Sequence, residues 1–358
     1  MSNTMSDKMI LTPRQQQILR GARVGEWFGA GAVAELFPGI SAATIRRDLG
    51  ELVEYGALEK TGENKGSKYA LTEQSRLFIP YELDSYYQQE PDDRSALTEY
   101  NFAAFSAMKS ASLFTTVQHE QLAQATNTFL GNARDMSSSL HQRELERFVI
   151  EFSWKSSKIE GNTYTLLDTE FLLKNGIEAI GKSKYEAKMI INHKNAYLFA
   201  VESMRRALPI DAAYIEQLHR LVTEGLGVEH GLRNRIVGIS GSAYTPLAMR
   251  QQLREQLGVL TQTIASKDNA YEQTLIAVLG LSYLQPFEDG NKRTARILAN
   301  SLLLRAGLAP LSYRSVDERE YKEATLIFYE QNSIQPFREL FVEQYVYSAT
   351  HYNIAEPQ

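Results

Sequence analysis

The 358-residue chain contains no cysteine. This excludes disulfides, thiolate catalysis and cysteine-ligated zinc, and it suits a reducing cytosol. Long apolar runs are missing as well. None approaches the ~20 residues that a membrane span needs, and the opening MSNTMSDKMI lacks the apolar core of an export signal. The expectation is a cytoplasmic protein with no membrane partner. Histidine is sparse. The six, at positions 119, 141, 193, 219, 230 and 351, never pair at metal-ligand spacing, so no histidine-held metal is expected. Charge of one sign is lacking too: a net charge of −5 supplies no global field toward nucleic acid or membrane. What is present is ordinary for a globular protein, with 43% hydrophobic and 23% charged residues. The length allows two or three compact domains with a sizeable core, and no internal repeat or low-complexity tract is visible.

Residues 9–72 read as a small unit. Pro13 suits the first turn of a helix capped by Thr12, and QQQILRGAR continues it. GAVAELF reads as a second helix, PGI turns the chain, and Ser41 caps a third, SAATIRRDLGELVEYGA. In that helix Ile45, Leu49, Leu52 and Val53 share one face, with Arg46 and Arg47 off it. LEK and KYALT read as strands around the polar turn GENKG. Three helices and a hairpin make an α+β winged helix-turn-helix, whose third helix enters the major groove. The run Ser41, Thr44, Ile45, Arg46, Arg47, Asp48, Leu49 resembles the Ser-x-x-Thr-Ile-Arg-Arg-Asp-Leu of DeoR-type repressors. That resemblance implies contact with double-stranded DNA through Thr44, Arg46 and Arg47. Charge does not reinforce it: residues 1–75 carry nine cations and nine anions, not a phosphate-binding footprint. A winged helix used only for protein contacts stays open.

The expected organisation is a winged unit at 1–75, a junction at 76–100 and a larger domain at 101–350. The junction stretch IPYELDSYYQQEPDDRSAL is too aromatic for a flexible linker and reads as a segment packed along the next domain. Beyond it, YNFAAFSAM, residues 114–130, LHQRELERFVIEFSWKSSKI, LLDTEFLLKNG, YEAKMIINHKNAYLFAVESMRRA and DAAYIEQLHRLVTEGL repeat at 3.6 residues, which predicts a mainly α domain. RNRIVGISGSAYTPL, with β-branched residues, two glycines and a proline, reads as a short hairpin inside it. LREQLGVLTQTIA, YEQTLIAVLGLSYL and ARILANSLLLRAG follow, all strongly apolar. The last two flank a polar loop, and buried helices on both sides would hold it rigidly.

That loop, within YLQPFEDGNKRTARIL, suits phosphate. Asp289 is a hard oxygen ligand for Mg²⁺, which takes one or two carboxylates plus phosphate oxygens. Gly290 lets backbone amides approach an anion, and Asn291 can donate to a phosphate oxygen. Arg293 and Arg296 open a helix whose free N–H groups already favour anions, and Phe287 is the apolar peg. The stretch resembles the Fic motif His-x-Phe-x-Asp/Glu-Gly-Asn-Gly-Arg-x-x-Arg, with Gln285, Phe287, Asp289, Gly290, Asn291, Lys292, Arg293 and Arg296 in the specified places. The Fic family moves part of a nucleotide onto a hydroxyl. The resemblance implies ATP and Mg²⁺ as cofactors and a Ser, Thr or Tyr hydroxyl of a target protein, or of the chain itself, as acceptor. It implies nucleotide binding by Gly290, Asn291, Lys292, Arg293 and Arg296, metal binding by Asp289, and catalytic roles for Asn291, Arg293 and the residue at 285.

Two further elements resemble the family. In KSSKIEGNTYT, Ser156 and Glu160 lie about 40° apart on one helix face, and Gly161-Asn162 suits a helix stop. This is similar to the inhibitory motif Ser/Thr-x-x-x-Glu-Gly/Asn, whose glutamate pairs with the second motif arginine, here Arg296. The hairpin GISGSAYTPL resembles the flap that pairs with an extended target segment, with Gly241, Ser242, Tyr244 and Pro246 in it. Two positions depart. Glutamine at 285 cannot take the proton that the family's histidine takes, which costs about 10² to 10⁴ in rate. Lys292 resembles a branch that transfers phosphate, whereas Gly290 and Arg296 follow the AMP-transferring pattern. The expected fold is mainly α, a Fic-type helical domain with a small β-hairpin flap plus the winged helix. The expected function is ATP/Mg binding on a framework descended from protein AMP-transferases, auto-inhibited by Glu160 and slow or inactive through Gln285. A silent nucleotide-sensing transcriptional regulator stays open, as do phosphotransfer and AMP removal. Target, operator sequence and oligomeric state, a homodimer included, are not legible.

Overall fold

The computed structural model describes residues 11–133 and 136–354; the first ten residues of the N-terminal unit lie outside these. Helix α1 (Pro13–Gly21) starts on a capping box, with the Gln15 N–H donating to Thr12 Oγ1 at 3.3 Å and the Thr12 N–H donating to Gln15 Oε1 at 2.9 Å. Strand β1 (Phe28–Gly29), α2 (Ala30–Leu36) and α3 (Ala42–Glu54) follow. Ser41 Oγ caps α3 by accepting from the Thr44 N–H at 3.1 Å. Strands β2 (Leu58–Thr61) and β3 (Lys68–Leu71) form the wing, and the antiparallel sheet runs β1-β3-β2. β1 is too short for alternation to reveal; it forms because Phe28 pairs with Tyr69. Ile45, Leu49 and Leu52 are buried against Ile18, Leu19 and Leu58, while Arg46 and Arg47 are exposed. Buried Asp48 pairs with Arg14 and ties α3 to α1.

Short helices α4 (Glu73–Arg76) and α5 (Leu83–Tyr86) lead into the larger helical body. Its elements are α6 (Ala104–Ser110), α7 (Thr116–Ala133), α8 (Ser138–Ile159), α9 (Leu166–Asn175), α10 (Lys184–Arg205), α11 (Ala212–Thr223), α12 (Arg250–Ala265), α13 (Ala270–Leu284), α14 (Asn291–Arg305), α15 (Glu318–Gln331) and α16 (Gln335–His351). α13 and α14 lie at the centre. Every residue of α13 from Thr274 to Leu284 is buried, which explains an apolar run with no amphipathic period. The aromatic junction lies along α15: the hydroxyls of Tyr81, Tyr86 and Tyr87 donate to Gln331 Oε1, Glu330 Oε2 and the Glu323 carbonyl at 3.0, 2.7 and 2.8 Å.

The hairpin expected at GISGSAYTPL does not form. No strand is assigned there; a turn closes with the Ser242 N–H on the Ile239 carbonyl at 3.2 Å, and Thr245 makes an isolated parallel bridge with Glu99. The core takes the side chains that a hairpin would turn outward. Tyr244 is 1% exposed, stacks on Tyr283 with ring centroids 4.8 Å apart, and donates its hydroxyl to the Tyr283 carbonyl at 3.0 Å. Pro246 is buried and offers no N–H to a ladder. Tyr244 and Pro246 are therefore interior residues and not the surface contact points expected for the flap.

Candidate functional site

The loop between α13 and α14 is held from several sides. α13 ends where Gln285 turns left-handed (φ 48°) and Pro286 can supply no helical N–H. Gly290 (φ 79°) precedes α14 and gives its first amides no side-chain cap. A Cβ at Gly290 would lie 2.8 Å from Thr223 Cγ2 and 3.6 Å from Val222 Cγ1, so the packing of α11 admits only glycine. Phe287 is buried and stacks on His219 of α11, centroids 3.8 Å apart. Burial pushes the His219 pKa down to about 4, leaving a neutral ring whose Nε2 lies 2.9 Å from the Asp289 carbonyl. Buried Arg233 clamps the loop's start: its N–H donates to the Pro286 carbonyl at 3.0 Å, its Nε to the Gln285 carbonyl at 2.7 Å and its Nη2 to the Leu247 carbonyl at 2.5 Å.

Asn291 closes the loop on itself. Its Oδ1 accepts from the Phe287 N–H, and its Nδ2 donates to the Phe287 carbonyl and to Gln285 Oε1, all at 2.9 Å. Both amide hydrogens are thus used inside the loop, so a phosphate contact by Asn291 requires displacing Gln285. The other end of the Gln285 amide donates to the Ser282 carbonyl at 2.6 Å.

A cleft of about 450 Å³ opens over this loop, within the size range of small-molecule sites. Gln285, Asn291 and Gly290 form its floor, with Lys292 and Arg293 beside them. Glu160 faces them from the end of α8, and Tyr185 of α10 and Lys322 of α15 add to the rim. Arg293 is 3% exposed; its Nη2 donates to Asp289 Oδ2 at 3.0 Å, and its Nη1 is buried without a partner. An unmet buried donor costs about 1–3 kcal/mol, so this guanidinium suits an incoming anion. Among the described residues no group of three or more His, Cys, Asp or Glu side chains could hold a metal. Asp289 is a carboxylate of the loop whose side chain is 55% exposed. A magnesium ion there would take its other ligands from phosphate oxygens and water, as that ion prefers.

Arg296 is fully buried and does not line the cleft. Its Nη2 lies 2.9 Å from Glu160 Oε1 and donates to the Ser156 carbonyl at 2.9 Å, while its Nε donates to Ser156 Oγ at 2.7 Å. The guanidinium also lies over the Tyr321 ring, 5.4 Å from its centroid. Lys292 Nζ is 3.6 Å from Glu160 Oε2. Burial works to raise the Glu160 pKa, but Arg296, Lys292 and Arg293 outweigh it and hold the carboxyl at about 2. α8 ends beside this pair because Gly161 turns left-handed (φ 92°).

Residues 209–303 match the model of the Fic/DOC family, and residues 14–62 match that of the DeoR-like helix-turn-helix domain. The chain carries a Fic domain. The matched span runs from before α11 to within α14, so it takes in His219, Arg233 and the whole loop, but neither Glu160 nor α15. The chain is similar to the protein adenylyltransferase Fic of Nematostella vectensis, 30% identical over 190 residues that cover 51% of this chain and 44% of the relative. It is 28% identical to the protein adenylyltransferase Fic of Drosophila willistoni over 264 residues, covering 71% and 51%. The chain spans about half the length of the curated relatives it matches. Fic-1 from C. elegans shares the fold with a TM-score of 0.58 at 20% identity, covering 97% of this chain and 90% of that one. A Fic-domain signaling protein from Bacteroides thetaiotaomicron does so at 0.57 and 20% identity, covering 64% and 94%.

The structure gathers most of the sequence-derived site residues of the Fic domain in one place. Gln285, Asp289, Gly290, Asn291, Lys292, Arg293 and Glu160 share the cleft, with Ser156 and Arg296 directly behind it. Gly241 and Ser242 lie beside the rim, and Thr44, Arg46 and Arg47 belong to α3 of the winged unit and line no part of the cleft. His219, Arg233, Tyr321 and Lys322 were not singled out from sequence. Tyr321, Ala324, Thr325 and Phe328 recur at helical spacing, so α15 was findable. The burial of Arg233 and His219 carries no local signal.

Proposed function

We propose that the cleft binds ATP with Mg²⁺ on a framework for AMP transfer to a protein hydroxyl, and that this chain is held in a state of little or no turnover. Arg293, buried beside the cleft with an unpartnered Nη1, is the observation that carries nucleotide binding. Gly290 and the uncapped start of α14 support it. Bound at Asp289, magnesium would neutralise phosphate charge. AMP transfer joins the acceptor oxygen to the α-phosphorus, breaks the α–β phosphoanhydride and releases pyrophosphate, and the hydroxyl proton needs an acceptor. Gln285 cannot take it, and both ends of its amide are engaged by Ser282 and Asn291. Glu160 keeps Arg296 out of the cleft, which supports auto-inhibition. The locked amide of Gln285 favours a second reading, a nucleotide sensor serving a DNA-binding winged helix. Lys292 for phosphate transfer and Glu160 for orienting water in AMP removal are the rival chemistries.

The test uses ATP labelled on the α- or the γ-phosphate. The Gln285→His, Glu160→Gly double variant is expected to transfer the α label to protein, by about 10² to 10⁴ over the parent chain if the missing base is the defect. A variant that binds ATP and transfers neither label leaves the sensor reading.

A further inference from the structure

A hydrogen-bond network runs from the rim of the cleft to the winged helix. Val237–Ser240 line the cleft. Next to them, the carbonyl of Gly241 accepts from Arg94 Nη1 at 2.9 Å. The same nitrogen lies 3.2 Å from Glu330 Oε1, and both side chains of that pair are buried. Arg94 is fixed further by its Nε donating to the Gln89 carbonyl at 3.0 Å and by the Tyr87 ring, 4.6 Å from its guanidinium. Glu330 also accepts from the Tyr86 hydroxyl at 2.7 Å, and its carbonyl accepts from the Leu97 N–H at 2.7 Å. Beside Arg94, Ser95 Oγ accepts from Arg23 Nη2 at 3.3 Å, and the Ser95 carbonyl accepts from Gln331 Nε2 at 2.5 Å. Arg23 lies two residues past the end of α1, and Arg20 of α1 donates twice to the Pro80 carbonyl, at 2.9 and 2.6 Å.

The other members of the network belong to the same helix as the cleft wall. Glu330 and Gln331 end α15, which places Tyr321 against Arg296, Lys322 and Thr325 on the cleft, and Tyr329 3.5 Å from the Gln285 amide. A ligand that moves Arg296 or the 237–240 segment therefore acts on two ends of one rigid element. The buried Arg94–Glu330 pair cannot follow by small increments, because an unpaired buried charge is costly; buried polar networks shift between discrete arrangements.

We propose that this network, with Arg94 at its node, couples occupancy of the cleft to the winged helix, so that ATP and double-stranded DNA alter each other's affinity for the chain. The proposal rests on the nucleotide-binding and DNA-binding readings above. Linkage makes the effect reciprocal and expects a factor of about 5 to 150.

The experiment titrates the full chain with magnesium–ATP, with a duplex enriched on the wild-type chain from a random pool, and with each in the presence of the other. Arg94→Lys keeps a charge for Glu330 but loses the fork that also reaches Gly241. Arg23→Ala cuts the exposed end, where misfolding is not at issue. Both variants are expected to bind each ligand alone as the wild type does, and to lose the mutual effect. Equal ATP affinity with and without duplex in the wild type overturns the proposal, as does a mutual effect that survives both variants. Failure of the wild type to bind ATP alone or duplex alone appears in the single titrations. It removes the underlying reading, and the coupling with it.

Discussion

Glu160 is a single carboxylate facing three cations, Arg296, Lys292 and Arg293. Its side chain is 20% exposed, yet Arg296, Lys292 and Arg293 more than offset the desolvation that burial imposes. A carboxyl lowered from its ordinary 4.5 to about 2 means that the unfolded chain takes up the proton first as pH falls. The pair's contribution is complete above about pH 4.5, declines between there and about 2, and is absent below. Glu160→Gln is expected to flatten the pH dependence of unfolding across that acid window while leaving Arg296 buried. Urea unfolding at pH 5 and pH 3 checks it, and an unchanged slope in the variant would show that the pair is not charged as inferred. At neutral pH the contact stays ionised, so its release needs a ligand and not acid.

At the scale of elements, the candidate site is the seam between α11, α13 and α14. The left-handed Gln285 ends one helix, the left-handed Gly290 opens the next, and α11 packs on the loop between them, His219 on Phe287 and Val222 and Thr223 beside Gly290. Gly290→Ala combines a backbone angle that side chains resist with a 2.8 Å approach to Thr223. The expected cost is about 1–3 kcal/mol of stability, together with weaker ATP binding as α14 is pushed from α11. Thermal unfolding and an ATP titration read the two effects separately, and Thr223→Ala in the same chain should restore the part due to the clash but not the part due to φ. The winged unit depends on the same kind of seam. Asp48 lies within the DeoR-like run but is buried against Arg14, so it anchors α3 and is unavailable to DNA, whereas Arg46 and Arg47 face outward.

At the scale of the whole molecule, two apolar cores meet within one peptide step. Phe78 belongs to the core of the helical body and Ile79 to that of the winged unit. The aromatic junction then returns along α15. With net charge −5 and a neutral winged unit, any DNA affinity must come from local arginines rather than a long-range field. The full chain with Arg46→Ala and Arg47→Ala is therefore expected to lose specific duplex binding, and its salt slope to fall by up to about two, one per lost phosphate contact. A wild-type chain that enriches no duplex from a random pool would make the winged unit a protein-contact module.

The sequence by itself determined what depends on neighbours in the chain. Thr12 and Ser41 announced their helices because a cap acts within three residues, and the 3.6-residue period of Ile45, Leu49 and Leu52 marked a buried face. The loop between α13 and α14 was legible because its residues are adjacent, and their spacing alone brings them together. Its link to Ser156 and Glu160 was not local: 136 residues separate Glu160 from Arg296, and only the family resemblance joined them in sequence. Tertiary structure decided the rest. Tyr244 and Pro246 had the composition of an exposed hairpin, but the stack on Tyr283 and the clamp of Arg233 drew their segment inward. Arg233, His219 and Arg94 look like ordinary polar residues in sequence. Their positions follow from which carbonyls the packed helices leave without donors, and that is settled only when the whole core has closed.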